Sequence, residues 1–366
     1  MIGGKDADLS GKSSYQKWLE TEGLPVIRDF YVPDIRKVPL ERWERKGGFG
    51  IYLNLIGTGE ANDAYICEIP PGKALKPQRH LFEEMIYVVE GRGATSVWLE
   101  GGKKQTFEWQ AGSLFSPPLN TWHQHFNGSG SEPARYLAVT SAPVVINLFH
   151  NIGFVFNNPF AFSDRFAGEE EYFSGKGKSY PGRIWDTNFI PDVRSMALQE
   201  WKERGAGGKN VMLELSENAM AAHISEFPVG TYKKAHRHGP GAHVVILGGK
   251  GYSLLWPEGS PIQRYDWQEG SIVVPPENWF HQHFNTGNSP ARYLALRWGS
   301  KKFRGLRKAY GVDESVKKGG DQIEYEDEEP KIHQEFEKAL ARSGATCRMG
   351  ALHPFCTQSE KPRGRP

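Results

Sequence analysis

Short β-branched runs closed by glycine alternate with proline- and glycine-rich turns through most of this chain. Met85-Ile-Tyr-Val-Val-Glu90 and His243-Val-Val-Ile-Leu247 are two such runs, each followed by glycine. Apolar runs this short, bounded by chain breakers, predict strands rather than helices. Paired prolines (Pro70-Pro71, Pro117-Pro118, Pro275-Pro276) and glycine-rich turns punctuate the sequence about every 8 to 12 residues. That is the rhythm of an antiparallel sandwich or barrel, in which proline is kept to strand ends and turns. Helical spacing is confined to the margins, at Ser14 to Glu22, Pro39 to Arg45, Met196 to Arg204 and Lys331 to Arg342. Repeated short strands with few helices predict an all-β jelly-roll architecture.

The strand pattern is written twice. Phe107-Glu-Trp-Gln-Ala-Gly-Ser113 returns as Tyr265-Asp-Trp-Gln-Glu-Gly-Ser271, and His123-Gln-His-Phe-Asn127 returns as His281-Gln-His-Phe-Asn285. Pro133-Ala-Arg-Tyr-Leu-Ala-Val139 returns as Pro290-Ala-Arg-Tyr-Leu-Ala-Leu296. His281 lies 158 positions after His123, and the same offset relates Trp43 to Trp201 and Gly72 to Gly230. One offset held over so long a stretch marks a tandem duplication. It divides the chain into an N-terminal arm (1–33), a first barrel (34–146), a linking segment (147–190), a second barrel (191–303) and a C-terminal extension (304–366). The linking segment, rich in Phe, Asn, Gly and Glu, is expected to pack over the barrels or to supply an oligomer contact. Sheet edges and this segment together predict a homo-oligomer.

At 366 residues the chain has room for two domains with sizeable cores. Charged residues make up 24% and the formal net charge is +2, with the signs interspersed. Nothing in that balance suggests capture of nucleic acid or of a membrane surface. The basic end Lys361-Pro-Arg-Gly-Arg-Pro366 is short and reads as a frayed tail. No run approaches the ~18 apolar residues of a membrane span, and the first residues lack the apolar core of a secretory signal. Three cysteines, an odd number in a long chain, argue against a disulfide framework and for a reducing cytoplasm. Cys347 and Cys356 bracket His353 at a spacing that matches no common metal site.

Histidines carry the chemistry. His236 and His238 are two apart, so on a strand both imidazoles face one side. His281 comes from a strand far away in sequence, and three imidazoles converging inside one barrel make a facial nitrogen set for a divalent transition metal, with positions left open. His283, two beyond His281, shares its face and is a candidate acid–base group or a partner that orients the ligands. Arg297 is a candidate clamp for a substrate carboxylate. Arg237 alternates away from the histidine face. Arg135 and Arg292 recur in both copies, which favours a structural ion pair. Trp122, Trp256, Trp279, Phe280, Phe284 and Tyr252, near the motifs, are read as barrel core or rim, with a pocket lining as the alternative.

These residues resemble the two cupin motifs. One runs glycine, five residues, His-x-His, then Glu and glycine; the other runs glycine, five residues, Pro-x-Gly-x-x-His-x-x-x-Asn. Gly230, His236 and His238 fit the first, and Gly270, Pro276, His281 and Asn285 fit the second, with Asn278 in place of its glycine. In the second barrel the glutamate position is Ala242, with His243 beside it. His243 points away from the cavity in that register, or becomes a fourth ligand if the turn Gly239-Pro240-Gly241 carries an extra residue. The first barrel aligns as Gly72, Gln78, His80, Glu84, Gly91, then Gly112, Pro118, His123 and Asn127. It offers a second, weaker site made of His80, Glu84, His123 and Gln78, because an amide oxygen is a poorer ligand than imidazole.

The resemblance implies a bicupin, two tandem double-stranded β-helix barrels with a few peripheral helices. The stretch Ala235-His-Arg-His-Gly-Pro-Gly-Ala242, with the glutamate missing, is similar to gentisate-type ring-cleaving dioxygenases. It implies an Fe2+ dioxygenase acting on a small aromatic or organic acid, such as an aromatic hydroxy acid. A bicupin decarboxylase, isomerase or lyase using Mn2+ or Zn2+ is the alternative. A non-catalytic bicupin that binds a small molecule is the third.

Overall fold

The computed structural model describes residues 11–239, 241–303 and 314–357. The first ten residues of the arm, Pro240 of the turn after His238, residues 304–313 and the basic tail lie outside the described residues.

Each copy folds as a barrel of one large, mainly antiparallel sheet and one small antiparallel sheet. In the first, the large sheet runs Val26–Ile27, Gly48–Leu53, Asp63–Ile69, Ala134–Thr140, Glu84–Glu90, Leu114–Phe115 and Phe189–Ile190, with Glu41–Trp43 on its edge. It faces a three-stranded sheet of Trp122–Asn127, Arg92–Trp98 and Gln105–Gln110. In the second, Lys209–Leu215, Met220–Phe227, Ala291–Trp298, His243–Gly248 and Ile272–Val273 form the centre of the large sheet. Gln263–Gln268, Lys250–Trp256 and Phe280–Asn285 form the small one. Alternation along the strands gives each large sheet two apolar faces, one for its own barrel and one for its neighbour. Ile51, Leu53, Ile66 and Leu137 from one sheet and Leu213, Ile224, Val245 and Leu294 from the other share a single core, so the barrels pack back to back.

The duplication shows most clearly where the copies exchange edges. Tyr31–Val32, ahead of the first barrel, pairs with Val273 and Ile272 of the second. Phe189–Ile190, ahead of the second barrel, pairs with Phe115 and Leu114 of the first. Asp34 and Arg36 then form an ion pair against Gly270, and Asp192 and Arg194 repeat it against Gly112. Arg135 binds Glu68 at 2.7 Å, and Arg292 binds Glu226 at 3.0 Å.

Two of the expected helices form: α1 (Ser14–Thr21), closed at its start by a capping box of Ser13 and Gln16, and, late in the chain, Pro330–Ser343. The other two expectations fail. Residues 39–45 hold the edge strand Glu41–Trp43, and residues 196–204 hold a two-residue strand and a 3-10 turn. At the first, pairing with Gly48–Gly50 overrides helical spacing. The bare Cα of Gly50 makes room for the Trp43 ring, which a Cβ would approach to 2.6 Å. Two short helices fill the linking region instead, α2 (Ala142–Phe149) and α3 (Ile152–Asn157). Pro143 in the first turn of α2 suits a helix, since its fixed φ is preset and its missing N–H costs no bond there. Pro330–Ser343 is therefore α4. The rest of the linking segment adds the hairpin Gly177–Tyr180 and Ile184–Thr187 to the second barrel. Leu148, Phe149, Phe154 and Phe160 lie exposed. Among the described residues no helix is long and apolar enough to cross a membrane.

Candidate metal centre

The arm Gly230 to Gly239 runs extended beside Phe280–Asn285. His236 and His281 exchange both backbone hydrogen bonds, at 3.1 and 2.8 Å, which sets their rings side by side with centroids 4.2 Å apart. His238 follows two residues later on the same face, its ring 4.7 Å from that of His281. One nitrogen from each of the three lies within 4.8 Å of the others. Their Nδ1 atoms face backbone carbonyls: Lys234 at 3.1 Å, Gly239 at 3.3 Å and Trp279 at 3.3 Å. A carbonyl only accepts, so each Nδ1 carries the proton and each Nε2 keeps a bare lone pair. Burial, reinforced by neighbouring cations, holds His236 and His238 well below the usual imidazole range and His281 at about 3. Three neutral donors preset in one tautomer suit a divalent metal. Asn278 stands where the motif has glycine; it takes a left-handed backbone (φ +63°), which asparagine tolerates better than most residues, and its N–H reaches His238 O.

The cluster opens into a cavity of about 270 Å³. Arg183, Arg204, Arg297 and Lys301 line it with His223, His283 and Tyr293, and among the described residues no carboxylate belongs to its lining. His283 is held through Nδ1 by the Ser253 hydroxyl at 2.7 Å, which also accepts the Trp267 indole N–H at 3.0 Å. That leaves Nε2 as the nitrogen available to the cavity. Tyr293 Oη lies 3.0 Å from Nζ of Lys233, a lysine that is 1% exposed. Burial alone would raise the Tyr293 phenol, but Lys233 draws it below its ordinary value.

His243 is not part of this set. Ala242 and Val244 face the cavity, so by strand alternation His243 points into the core between the barrels. Both of its ring nitrogens are buried without a partner, and burial alone drops it to about 3. The fourth-ligand reading is corrected accordingly. The named aromatic residues do not line the cavity either: Tyr252, Trp256, Phe280 and Phe284 form the core beneath the C-terminal extension, and Trp279 packs on Phe30. Arg237 points outward to Asp321 and Glu258. Arg204 and His223 carry no motif, and Tyr293 lies in the repeated segment Pro290–Leu296 without a chemical signature of its own. Their only signal is the offset that pairs Arg204 with Lys46 and His223 with Tyr65.

In the first barrel His80, Glu84 and His123 also converge, each Nε2 lying 3.7 Å from Oε2 of Glu84, with Gln78 Nε2 3.1 Å from His123 Nε2. Nδ1 of each histidine faces a carbonyl, so two lone pairs and a carboxylate point at one place. These residues fit a metal as well. The chamber beside them is only about 10 Å³, closed by Lys46, Tyr65 and Phe82. Tyr65 and Lys46 occupy the other carboxylate oxygen of Glu84. A larger cleft of about 650 Å³ lies outside, over Trp122 and Arg79, and reaches Gln78 but not the triad.

Residues 65–140 match the family model described as cupin domain. No curated protein matches the sequence. Among solved structures, the Lactobacillus farciminis oxalate decarboxylase–formate complex is 16% identical, over 75% of this chain and 87% of that one, with a TM-score of 0.50. A tryptophan-to-tyrosine variant of Bacillus subtilis oxalate decarboxylase is 13% identical, over 74% and 78%, also at 0.50. At such identities the likeness is one of fold.

Proposed function

We propose that this chain, a bicupin of the cupin superfamily, is a metal-dependent enzyme that acts in its second barrel on a small organic acid, by non-oxidative chemistry of the decarboxylase, isomerase or lyase kind. The cavity wall carries this reading. Three neutral imidazoles stand on one side, with the side chains of Arg183, Arg204, Arg297 and Lys301 around them. A chamber of about 270 Å³ so lined suits a compact anion with oxygens at both ends. An aromatic ring would meet guanidinium and imidazole groups, with Trp201 and Tyr293 as its only carbocyclic walls among the described residues. The oxalate decarboxylases that share the fold act, by their names, on an acid of that compact kind.

His236, His238 and His281 would hold the metal, with Mn2+ or Fe2+ matching the imidazole set. When bound, it supplies a Lewis acid that polarises a substrate carboxylate. Arg204 and Arg297 bind the anion and fix which end faces the histidines. Lys233 holds Tyr293 Oη poised as a proton donor, and loss of carbon dioxide leaves an electron pair on carbon that takes this proton. His283, steadied by Ser253, is placed to accept a proton at Nε2. In the first barrel the same fold would hold a metal without room for substrate.

One observation favours a second reading. Ala242 removes the carboxylate ligand and leaves three histidines, which keeps an Fe2+ dioxygenase acting on a hydroxylated aromatic acid in play. Metal content, carbon dioxide release and oxygen uptake, measured on one preparation with both substrate classes, separate the two. The expected result is conversion of a small di- or keto acid without oxygen uptake. His236→Ala and His281→Ala should each lose that activity together with about one metal per chain, by more than the ~10–100-fold that an outer partner costs. Oxygen uptake provoked only by hydroxylated aromatic acids would establish the dioxygenase. A full metal complement in both variants would remove the three-histidine site.

A further inference from the structure

The C-terminal extension brings together four side chains that the chemistry of the barrels does not use. His333 and Glu337 stand one turn apart on α4. Gly344 ends that helix in the left-handed conformation (φ +71°), and the chain turns back over the second barrel to place Cys347 and then Cys356 beside them. Cys347 Sγ lies 3.6 Å from Cys356 Sγ, Cys356 Sγ 3.6 Å from Glu337 Oε1, and His333 Nε2 3.4 Å from Glu337 Oε1. One ligand atom from each of the four falls within 4.8 Å of the rest. With zinc–sulfur bonds of about 2.3 Å and zinc–nitrogen or –oxygen bonds of about 2.0 Å, the edges of a tetrahedron span roughly 3.3 to 3.8 Å. The three separations of 3.6, 3.6 and 3.4 Å are such edges.

His333 decides between a metal and a set of hydrogen-bonded thiols. The ring is fully buried, and Nε2 has no hydrogen-bond partner. Its Nδ1 lies 3.0 Å from the Tyr232 hydroxyl, whose single proton goes to Glu328 Oε1 at 2.7 Å. Tyr232 can therefore only accept from His333, so Nδ1 carries the proton and Nε2 presents a bare lone pair to the carboxylate oxygen of Glu337. Two electron-rich atoms facing each other out of water call for a cation between them. The other ligands are steadied in the same way. Glu337 accepts the Thr357 N–H at 2.9 Å and its hydroxyl at 2.7 Å, and a Met349 N–H bonds to the Cys347 sulfur. His353, which the cysteines bracket in sequence, is a support instead: it stacks on His333 at 4.0 Å, and its Nε2 binds Glu328 at 3.1 Å.

We propose that His333, Glu337, Cys347 and Cys356 form a structural zinc site that fastens the C-terminal extension to the second barrel. Two thiolates and an imidazole select a borderline-soft ion over Mg2+ or Ca2+. Four protein ligands leave no position for substrate, so the site is closed and serves the fold. On binding, each thiol gives its proton to solvent, and the ion's charge offsets the burial that otherwise pushes the Cys347 thiol up to about 12.

The test is cobalt substitution of the full-length protein. Neither barrel cluster contains sulfur, so a thiolate-to-cobalt charge-transfer band reports this site alone. The band should persist in His281→Ala and vanish in Cys347→Ser, and the Cys347→Ser protein should carry about one zinc per chain less than the unaltered one. Should Cys347→Ser fail to fold, the unaltered protein still answers. A chelator should expose two further thiols to a thiol reagent and lower the melting temperature. A chain two hydrogens lighter, with Cys347 bonded to Cys356, would overturn the proposal. So would a cobalt-loaded protein without the sulfur band.

Discussion

Lys46 and Arg204 stand 158 positions apart, at one place in the two copies, and face different surroundings. Lys46 Nζ lies 3.8 Å from Glu84, and it and Tyr65 engage the carboxylate oxygen turned away from His80 and His123. Arg204 is almost fully buried, bonded to Gln322 at 2.9 Å, and lies beside a cluster in which alanine has replaced that glutamate. With alanine in place of that glutamate, Arg204 lines the larger cavity beside the histidines, where the proposed function has it bind the anion. Arg297 lines the same cavity from a separate strand. Arg297→Gln should raise KM for the acid substrate by about 10–100-fold, the loss of one charge-assisted contact of ~1.5–3 kcal/mol, with the metal content unchanged. A fall in metal content would place Arg297 among the supports of the histidines instead. The convergence of His236, His238 and His281 was legible because His-x-His and its distant partner are set by strand alternation and by a motif. Apart from Arg297, the rest of the cavity wall was not, because Arg204, His223 and Tyr293 reach the cavity from strands and turns whose positions only the folded barrel defines.

At the scale of elements, one strand position carries two incompatible readings, and geometry chooses. His243–Gly248 has Ala242 and Val244 toward the cavity, so His243 falls on the sheet's back, where Met85 stands in the other copy. A histidine there gains nothing from its nitrogens, neither of which has a partner. Its pKa drops from the ordinary 6.5 to about 3 by burial alone, with no charged neighbour contributing. The unfolded chain therefore binds a proton that the folded chain refuses, and the stability present above pH 6.5 is lost as pH falls below it. By pH 5 the cost is on the order of 2 kcal/mol. His243→Met, copying Met85, should raise the melting temperature at neutral pH by relieving two unpaired polar atoms. The gain over the unaltered protein should widen steadily below pH 6.5, which thermal melts across pH 5 to 8 would show. An unchanged difference across that range would mean that His243 finds a partner in solution. The failed helices at residues 39–45 and 196–204 teach the same lesson. Apolar spacing admitted a helix, but the ladder to Gly48–Gly50 and the demand of Trp43 for the space beside Gly50 made the first an edge strand.

For the whole molecule, the repeat visible in sequence understates how far the two copies depend on each other. Duplicated motifs promise two barrels side by side, and nothing in their pattern shows that each lends the other a strand. Tyr31–Val32 completes the second barrel and Phe189–Ile190 the first, and Glu83 of the first barrel accepts the backbone N–H groups of Ala219 and Met220 in the second. Val211, Leu213, Ile224, Val245, Leu294 and Leu296 on the back of the second barrel are all buried in the shared core. At about 1.5–3 kcal/mol for each such side chain, parting the barrels would expose on the order of 10 kcal/mol of apolar surface from these six alone. The exchange therefore makes one cooperative unit out of two barrels. A protease site inserted between Gly168 and Glu169, in the exposed stretch of the linking segment, offers a direct check. After cleavage the fragments should elute as one particle and melt in a single transition, since each holds the other's edge strand. The second-barrel fragment made alone should be insoluble, or fold only when the first is supplied. Two fragments that separate under native conditions and melt independently would show that the borrowed strands add little to barrels already complete.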